Sequence, residues 1–289
     1  VEDRQKNLWI GTNDGGLNLY NPENRHFIHY ALQENQREEG FGSNNIKSVY
    51  VDDTRGLVYI GAHAGGLSIL HRNSGRIENF NQRNSRLVNE NVYSILPDKD
   101  NTFLLGTLSA LVHFNPEQRS FTTISRESNG TPVTFQKITT LFRDSQKRLW
   151  VGSEEGISVF RQHGTEIERI PLLPASAITK SFINYIYEAA NGLIWVGTRE
   201  GAYCFNEKNK QIKRYTTANG LPNNVVYGIL EDSYGRLWMS TNQGISCFNP
   251  STDKFRNFTE ADGLQSNQFN TSSCYRTSNG QMFFGGING

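Results

Sequence analysis

The residues that could carry chemistry are spread along the chain and do not form one catalytic motif. Among the six histidines, His63 stands apart because it falls in a turn between two predicted strands. Glu154 and Glu155 are adjacent carboxylates in a comparable turn. A retaining glycosidase needs two carboxyl groups about 5–5.5 Å apart across the substrate, whereas neighbouring turn residues usually point apart. The sequence therefore predicts no catalytic residue in this chain.

Corresponding turns along the chain supply polar side chains that differ from copy to copy. Such variation is typical of a ligand-binding rim on a fixed scaffold. A sugar is recognised by converging hydrogen-bonding groups together with an aromatic platform. The candidate ligand-binding residues are Asn13, His63, Glu154, Arg199 and Asn242 for hydrogen bonding, and Phe135, Phe182 and Tyr185 for stacking. The alternative is that these turns are polar only because water surrounds them.

A repeat supplies the elements that must position these residues. Each copy has an aromatic or large apolar anchor, and the anchors are Trp9, Tyr59, Leu104, Trp150, Trp195, Trp238 and Phe283. Successive anchors are 50, 45, 46, 45, 43 and 45 residues apart, and one four-stranded propeller blade takes about 40–45 residues. The spacing predicts an all-β, seven-bladed β-propeller that spans residues 1–289 as a single domain. The first copy lacks one strand and the last lacks two, so we expect incomplete or composite terminal blades.

The clearest copy shows why such sheets must stack. Four strands are predicted within residues 224–258, and the second contains Trp238. A sheet with two apolar faces cannot bury both alone, and a ring of sheets covers nearly all of them. The tryptophan supplies the contact between neighbouring sheets, since one such ring buries about 150–250 Å². The glycine two residues after most anchors predicts a close approach of two backbones.

Composition excludes several other classes of protein. The chain has 29 Lys and Arg against 28 Asp and Glu, so its net charge of +1 gives no sign of a nucleic-acid-binding surface. No run approaches the roughly 18–20 apolar residues of a membrane span. The chain opens on Val1 without a methionine and stops inside a repeat, so we expect it to be part of a longer protein. The apolar loop 171–181 predicts either a contact with another domain or packing on its own blade.

Cysteine spacing gives no sign of a metal or redox site. Cys204, Cys247 and Cys274 form no Cys-x-x-Cys motif, so we expect no metal and no cofactor. Cys204 and Cys247 fall at the same place in neighbouring copies. Because neighbouring blades fan apart, a Cα separation below about 7 Å is not expected for this pair. We interpret the cysteines as small packed side chains.

Several motifs resemble the two-component regulator propeller repeat. They are residues 223–238, the turn Thr241 to Gly244, and Phe248-Asn249-Pro250, with further matches in residues 218–223 and 261–267. The resemblance covers essentially the whole chain, and residues 263–286 resemble the last blade of the second propeller in that family. The third copy departs from the pattern, because Leu104 replaces tryptophan and Ser109-Ala110 replaces the turn glycine.

This resemblance implies the extracytoplasmic sensor of a hybrid two-component regulator of Bacteroides type. In that family two seven-bladed propellers precede a β-sandwich, a membrane helix, a histidine kinase, a receiver and a DNA-binding domain. The resemblance implies a periplasmic location, an oligosaccharide ligand and a homodimer. It also implies contacts with a neighbouring propeller and the β-sandwich of the same chain. Attachment to the membrane and contact with DNA would belong to segments outside residues 1–289.

Two other functions remain open at this point, because propellers host many unrelated activities. One is a propeller enzyme that acts on glycans, a lyase or a hydrolase. It would be favoured by a cluster of His, Glu or Arg with perturbed pKa values or a metal. The other is a protein-interaction scaffold, which a flat apolar face would favour.

Overall fold

Short antiparallel strands make up nearly all of the regular structure. The computed structural model describes residues 1–31, 40–171 and 181–288, so most of the predicted interface loop 171–181 lies outside the described residues. Within those ranges the chain forms twenty-five strands in seven sheets, three short 3₁₀ turns and no α-helix. None of the described helical segments is long and apolar enough to span a membrane.

The sheets follow one another along the chain, and in most of them each strand pairs with the next. The first three sheets comprise, in order, β1 (Leu8–Gly11), β2 (Leu17–Asn21) and β3 (His26–Tyr30); β4 (Ile46–Asp52), β5 (Leu57–Ala62), β6 (Gly66–His71) and β7 (Ile77–Phe80); and β8 (Val92–Pro97), β9 (Phe103–Thr107), β10 (Leu111–Asn115) and β11 (Ser120–Ile124).

The remaining sheets repeat this arrangement until the last, which is a hairpin. They comprise β12 (Ile138–Arg143), β13 (Leu149–Ser153), β14 (Gly156–His163) and β15 (Glu166–Arg169); β16 (Ile183–Glu188), β17 (Ile194–Thr198), β18 (Ala202–Asn206) and β19 (Gln211–Tyr215); β20 (Val226–Glu231), β21 (Leu237–Thr241), β22 (Gly244–Asn249) and β23 (Lys254–Phe258); and β24 (Phe269–Arg276) with β25 (Met282–Gly286).

Four-stranded antiparallel sheets in this order are propeller blades, so the chain is an all-β propeller, as the repeat predicted. Six sheets have three or four strands and count as blades, whereas the sequence predicted seven. The seventh anchor, Phe283, lies in the two-stranded hairpin β24–β25, and its side chain is 43% exposed. An anchor marks one strand of a copy, but a blade needs further strands to cover that residue.

The described chain divides into two compact units. The first unit contains Val1–Leu141 and Gln162–Glu168, and the second contains Phe142–Arg161 and Arg169–Gly289. In the first unit, Tyr59 packs with Phe103 and Phe114 in one apolar cluster. In the second, Trp195 packs with Phe248 and neighbouring aliphatic side chains in another. Each unit therefore has a core built around the anchors that the repeat identified.

The predicted close approach at the repeat glycines is confirmed. A Cβ atom placed on Gly106 would lie 2.6 Å from Cγ2 of Ile138. One placed on Gly197 would lie 2.9 Å from the backbone oxygen of Val226. Because a backbone oxygen cannot give way as a flexible side chain can, this contact favours glycine in the second strand, and in the blade of Trp238 the small Ser240 takes its place.

An aspartate fixes the tryptophan anchor in three blades. Oδ2 of Asp232 accepts a hydrogen bond from Nε1 of Trp238 at 2.9 Å, and Oδ2 of Asp144 accepts one from Nε1 of Trp150 at 2.7 Å. In the third case the partners are Asp3 and Trp9, at 3.1 Å. The indole donor is thereby satisfied although the ring packs among apolar neighbours.

The same carboxylate also closes the turn between the first and second strands. Oδ1 of Asp232 accepts the backbone N–H groups of Tyr234 and Arg236, at 2.9 and 3.0 Å. The Arg236 side chain donates from Nε to Oδ2 at 2.7 Å. Burial raises the pKa of Asp232, but the hydrogen bonds from Trp238 and Arg236 outweigh that effect and leave the pKa below its usual range.

We expect Asp232→Ala to lower the free energy of unfolding by about 1–3 kcal/mol, because the indole and two backbone donors lose their acceptor. Urea unfolding followed by tryptophan fluorescence would measure the loss. Ser233→Ala, at an exposed neighbour in the same turn, is the matched control and should change stability little. Equal losses in the two variants would contradict a structural role for the carboxylate.

The lowered pKa of Asp232 also predicts a pH dependence. An unfolded aspartate has a pKa of about 3.9, so the folded carboxylate contributes stability above that value. The contribution is lost as the pH falls through the folded pKa. The gap in unfolding free energy between the wild type and Asp232→Asn should therefore be largest near about pH 6 and shrink towards about pH 3. A gap that stays constant over this range would show that ionisation of Asp232 does not stabilise the fold.

Candidate functional site

A buried hydroxyl fixes most turns between the second and third strands. Oγ1 of Thr241 donates to the backbone oxygen of Gly244 at 2.9 Å and accepts the backbone N–H of Gln243 at 3.0 Å. Thr198 makes the same pair of bonds, to the oxygen of Gly201 and from the N–H of Glu200. The hydroxyls of Thr12, Thr107 and Ser153 also donate to the backbone oxygen at the end of their turns.

The residue that follows each hydroxyl has a side chain that the turn does not use. Four predicted ligand-binding residues hold this position: Asn13, Glu154, Arg199 and Asn242. His63 holds the equivalent position after Ala62, in a turn without the hydroxyl. The predicted hydrogen-bonding residues therefore share one structural position, at which the backbone is fixed and the side chain is variable.

A second set of positions lies at the start of the first strand of each blade. The pairing register shifts between Ile46 and Ser48, and equivalent shifts occur in three other blades, so one residue in each strand is extra. These bulged residues are Lys47, Tyr93, Asn184 and Tyr227. A β-bulge redirects the side chain of the extra residue, and bulges are common beside binding sites.

The sequence interpretation missed the bulged residues, because a bulge leaves the overall hydrophobic pattern of a strand unchanged. Two of them did carry a signal. Lys47 and Asn184 are polar residues close to the start of otherwise largely apolar strands. Tyr93 and Tyr227 carried no such signal, because an aromatic residue in a strand is usually interpreted as a packed side chain.

In the first unit, two predicted residues lie against bulged ones. Nζ of Lys47 donates to Oδ1 of Asn13 at 2.6 Å. The ring of Tyr93 lies 6.4 Å from the ring of His63, and Nζ of Lys137 lies 5.8 Å from the centre of the Tyr93 ring. Burial lowers the pKa of Lys47; the Asp14 carboxylate opposes this effect and the charge of Lys137 adds to it.

In the second unit, the structure brings the predicted residues Arg199 and Phe182 together. The guanidinium carbon lies 3.8 Å from the centre of the phenyl ring, in cation–π geometry. The guanidinium thus covers a ring face that a sugar would need for stacking. Asn242 lies against a bulged residue, because the hydroxyl of Tyr227 donates to its Oδ1 at 2.9 Å.

The other three predicted residues are placed differently. Glu154 is exposed in its turn, whereas Phe135 is buried. Tyr185 is partly buried against the core around Trp195. Burial, together with the adjacent Cys274 thiol to which its hydroxyl bonds, raises the pKa of Tyr185 well above its usual range. The positions of Phe135 and Tyr185 favour a packing role over stacking on a ligand.

The cysteines are reduced thiols. Burial raises the pKa of Cys204 to about 11 and that of Cys274 to about 12. Since the thiolate is the reactive form, these two side chains are poor nucleophiles at neutral pH. Within residues 1–31, 40–171 and 181–288, no group of three or more His, Cys, Asp or Glu side chains could hold a metal ion.

Comparison with known families is consistent with the repeat structure. Residues 132–155 and 220–243 match the profile of the family described as two component regulator propeller. These two segments carry the two-component regulator propeller repeat. The two matched segments each include an anchor tryptophan and part of the turn that follows it, the region in which the predicted rim residues Glu154 and Asn242 lie.

One curated relative is histidine kinase P4 from Formosa agariphila. It is 30% identical over 171 residues, which are 57% of this chain and 12% of that protein. The chain thus spans about one eighth of the length of this relative. Among solved structures, the chain resembles the extracellular domain of the putative hybrid two component system BT3049 from B. thetaiotaomicron, with a TM-score of 0.78 and 18% identity. That match covers all of this chain and 38% of the other, and it shows a shared fold.

The propeller also resembles an enzyme. A catalytically inactive virginiamycin B lyase from Staphylococcus aureus matches with a TM-score of 0.65 and 12% identity, over 92% of this chain and 84% of that one. At this identity the likeness again shows the fold alone.

The role of the turn hydroxyls can be tested through the stability of the turn backbone that carries the candidate residues. We expect Thr241→Val to lower the free energy of unfolding by about 1–3 kcal/mol, because the buried carbonyl of Gly244 and the partly buried N–H of Gln243 both lose a partner. Hydrogen exchange at the Gln243 amide should also become faster. Thr252→Val, at an exposed threonine whose hydroxyl makes no such turn bonds, is the matched control. Unchanged exchange at Gln243 would contradict the role assigned to this hydroxyl.

Proposed function

We propose that this propeller is the ligand-sensing part of a two-component signalling protein and that its ligand is an oligosaccharide. The observation that carries the proposal is the shared position of the candidate residues. In most of the described blades a threonine or serine hydroxyl fixes the turn, while the next side chain varies among Asn, Leu, Glu and Arg. Such a scaffold can change its ligand without changing its fold.

The comparisons support the sensor part of this proposal. The matched family is named for two-component regulators. The curated relative is a histidine kinase, and a solved structure with the same fold is an extracellular domain of a hybrid two-component system. On this basis we place the propeller in the periplasm and the kinase outside residues 1–289. Attachment to the membrane would then belong to other segments of the protein.

The chemistry of the rim favours a sugar as ligand. Amide groups of Asn13 and Asn242 both donate and accept hydrogen bonds, as sugar hydroxyls require. The bulged residues Tyr93 and Tyr227 place aromatic rings beside two of the turns. Each unit by itself thus has a turn amide and an aromatic ring, the polar and apolar groups by which small-molecule sites orient a ligand.

Signalling requires that the ligand distinguish two states of the protein. A ligand can shift an equilibrium only by the difference between its affinities for the two states. We propose that the protein acts as a homodimer. The two states would differ in the geometry of this dimer and in the contacts of the propeller with a neighbouring propeller and a β-sandwich of the same chain. We also propose that the hairpin β24–β25 is half of a seventh blade.

The test is calorimetric titration of the 289-residue chain with neutral and acidic oligosaccharides from plant and host glycans. The same samples would be assayed for new reducing ends. We expect one class of glycan to bind without cleavage. At least one of His63→Ala and Asn242→Ala should weaken binding about tenfold, as expected for the loss of a ligand contact of about 1.4 kcal/mol. Thr252→Val should bind as the wild type does.

Three outcomes would contradict the proposal. Cleavage of a bound glycan would favour a propeller enzyme, a lyase or a hydrolase. Binding that no rim variant weakens would place the site elsewhere on the chain. Absence of binding across the whole panel would favour a protein-interaction scaffold.

A further inference from the structure

The first unit contains a patch whose charge the general proposal does not explain. We define the basic patch as Asn13, Lys47, His63, Tyr93 and Lys137. Lys47 contacts Asn13 through its ammonium group at 2.6 Å. The Tyr93 ring lies 6.4 Å from the ring of His63, and Nζ of Lys137 lies 5.8 Å from the centre of the Tyr93 ring. The charge of Lys137 also contributes to lowering the pKa of Lys47, so the two ammonium groups lie in the same region, and one of them borders an aromatic ring.

The backbone holds both lysines in place. Lys47 is the extra residue of the bulge in β4, so its direction is set by the register shift between Ile46 and Ser48. Lys137 has a φ of 45° and donates its backbone N–H to the oxygen of Leu108, in the turn after β9, at 2.6 Å. A left-handed conformation is uncommon for a residue with a side chain, so the start of β12 imposes this orientation on Lys137.

These lysines also differ from ordinary solvated ones. Lys47, Tyr93 and Lys137 are all only partly exposed. Burial lowers the pKa of Lys47, the Asp14 carboxylate raises it, and the charge of Lys137 lowers it again. The protein thus keeps two positive charges close enough to repel each other, partly withdrawn from water. A bound anion would relieve this repulsion, and hydrogen bonds from a partly desolvated ammonium to an anion are strong.

We propose that the basic patch binds an acidic sugar unit of the oligosaccharide, with its anionic group held by Lys47 and Lys137. The Tyr93 ring provides the apolar wall for the sugar, and Asn13 and His63 bind its hydroxyls. The inference rests on the proposed function and specifies its ligand as an anionic glycan. A carboxylate and a sulfate share the chemistry that the patch recognises.

The test compares matched pairs of sugars that differ in one acidic group. The 289-residue chain would be titrated with short oligogalacturonates and their methyl-esterified forms, and with sulfated chondroitin oligosaccharides and their unsulfated forms. We expect an acidic form to bind and the neutral ester to bind at least about tenfold more weakly. Binding to the galacturonate but not to its ester would identify a carboxylate as the recognised group, and binding to the sulfated but not to the unsulfated chondroitin would identify a sulfate.

Variants separate a specific role from a general effect of charge. Lys47→Gln and Lys137→Gln should each weaken binding of the acidic sugar at least about tenfold, as for the loss of a hydrogen bond to a charged group. Lys47→Arg keeps the charge and should restore most of the affinity. Lys254→Gln removes the same charge from the exposed strand β23 and should have little effect. Thermal unfolding of each variant would verify that it is folded.

Several results would overturn this inference. They are equal binding of the acid and its ester, equal weakening by Lys47→Gln and Lys254→Gln, and the absence of binding to any acidic sugar. If a neutral oligosaccharide binds instead, and a rim variant weakens that binding, the proposed function stands and only the acidic ligand is wrong. If no sugar of either kind binds, both proposals fail.

Discussion

The hydrogen bond between an aspartate and the anchor tryptophan is the constraint on which three of the blades depend. In the blade of Asp232, one carboxylate holds the indole of Trp238, the backbone of the turn and the side chain of Arg236. The turn fixes the register of the first two strands, and the register places the tryptophan in the interior. The blade of Trp195 lacks this acceptor, because Ala189 stands at the equivalent position. There, burial against Tyr215 and Phe248 holds the ring instead.

The fold was predictable because its main contacts recur in the sequence. Anchors return every 43 to 50 residues, and in most copies a glycine follows two residues after the anchor. Gly106 and Gly197 show that these glycines mark contacts between neighbouring sheets. The blade count was less predictable. An anchor such as Phe283 shows that a second strand exists, but it carries no information on whether a third and a fourth strand follow. The part of the chain that the structure describes accordingly forms six blades and a hairpin where seven blades were predicted.

The candidate site was only partly predictable, for a physical reason. Turn residues such as Asn13 and Asn242 could be identified because a turn is marked by its own glycine and by a break in the hydrophobic pattern of the flanking strands. Phe135 and Tyr185 were chosen for their aromatic type alone, and type does not distinguish a packed ring from an exposed one. The bulged residue Lys47 was missed because a bulge arises from pairing with a neighbouring strand, and a single strand's sequence does not reveal that pairing.

The turn that breaks the hydroxyl pattern lies in the basic patch. Ala62 cannot make the turn bonds that Thr198 or Thr241 makes, so other segments hold the backbone around His63. The N–H of His63 donates to the oxygen of Asn45, and the N–H of Ala64 donates to Oδ1 of Asn91. Asn45 and Asn91 each lie two residues before a bulged residue, Lys47 and Tyr93. The geometry of this turn is therefore set by the two strand starts that carry the patch. A ligand that moves those strand starts would therefore also move His63.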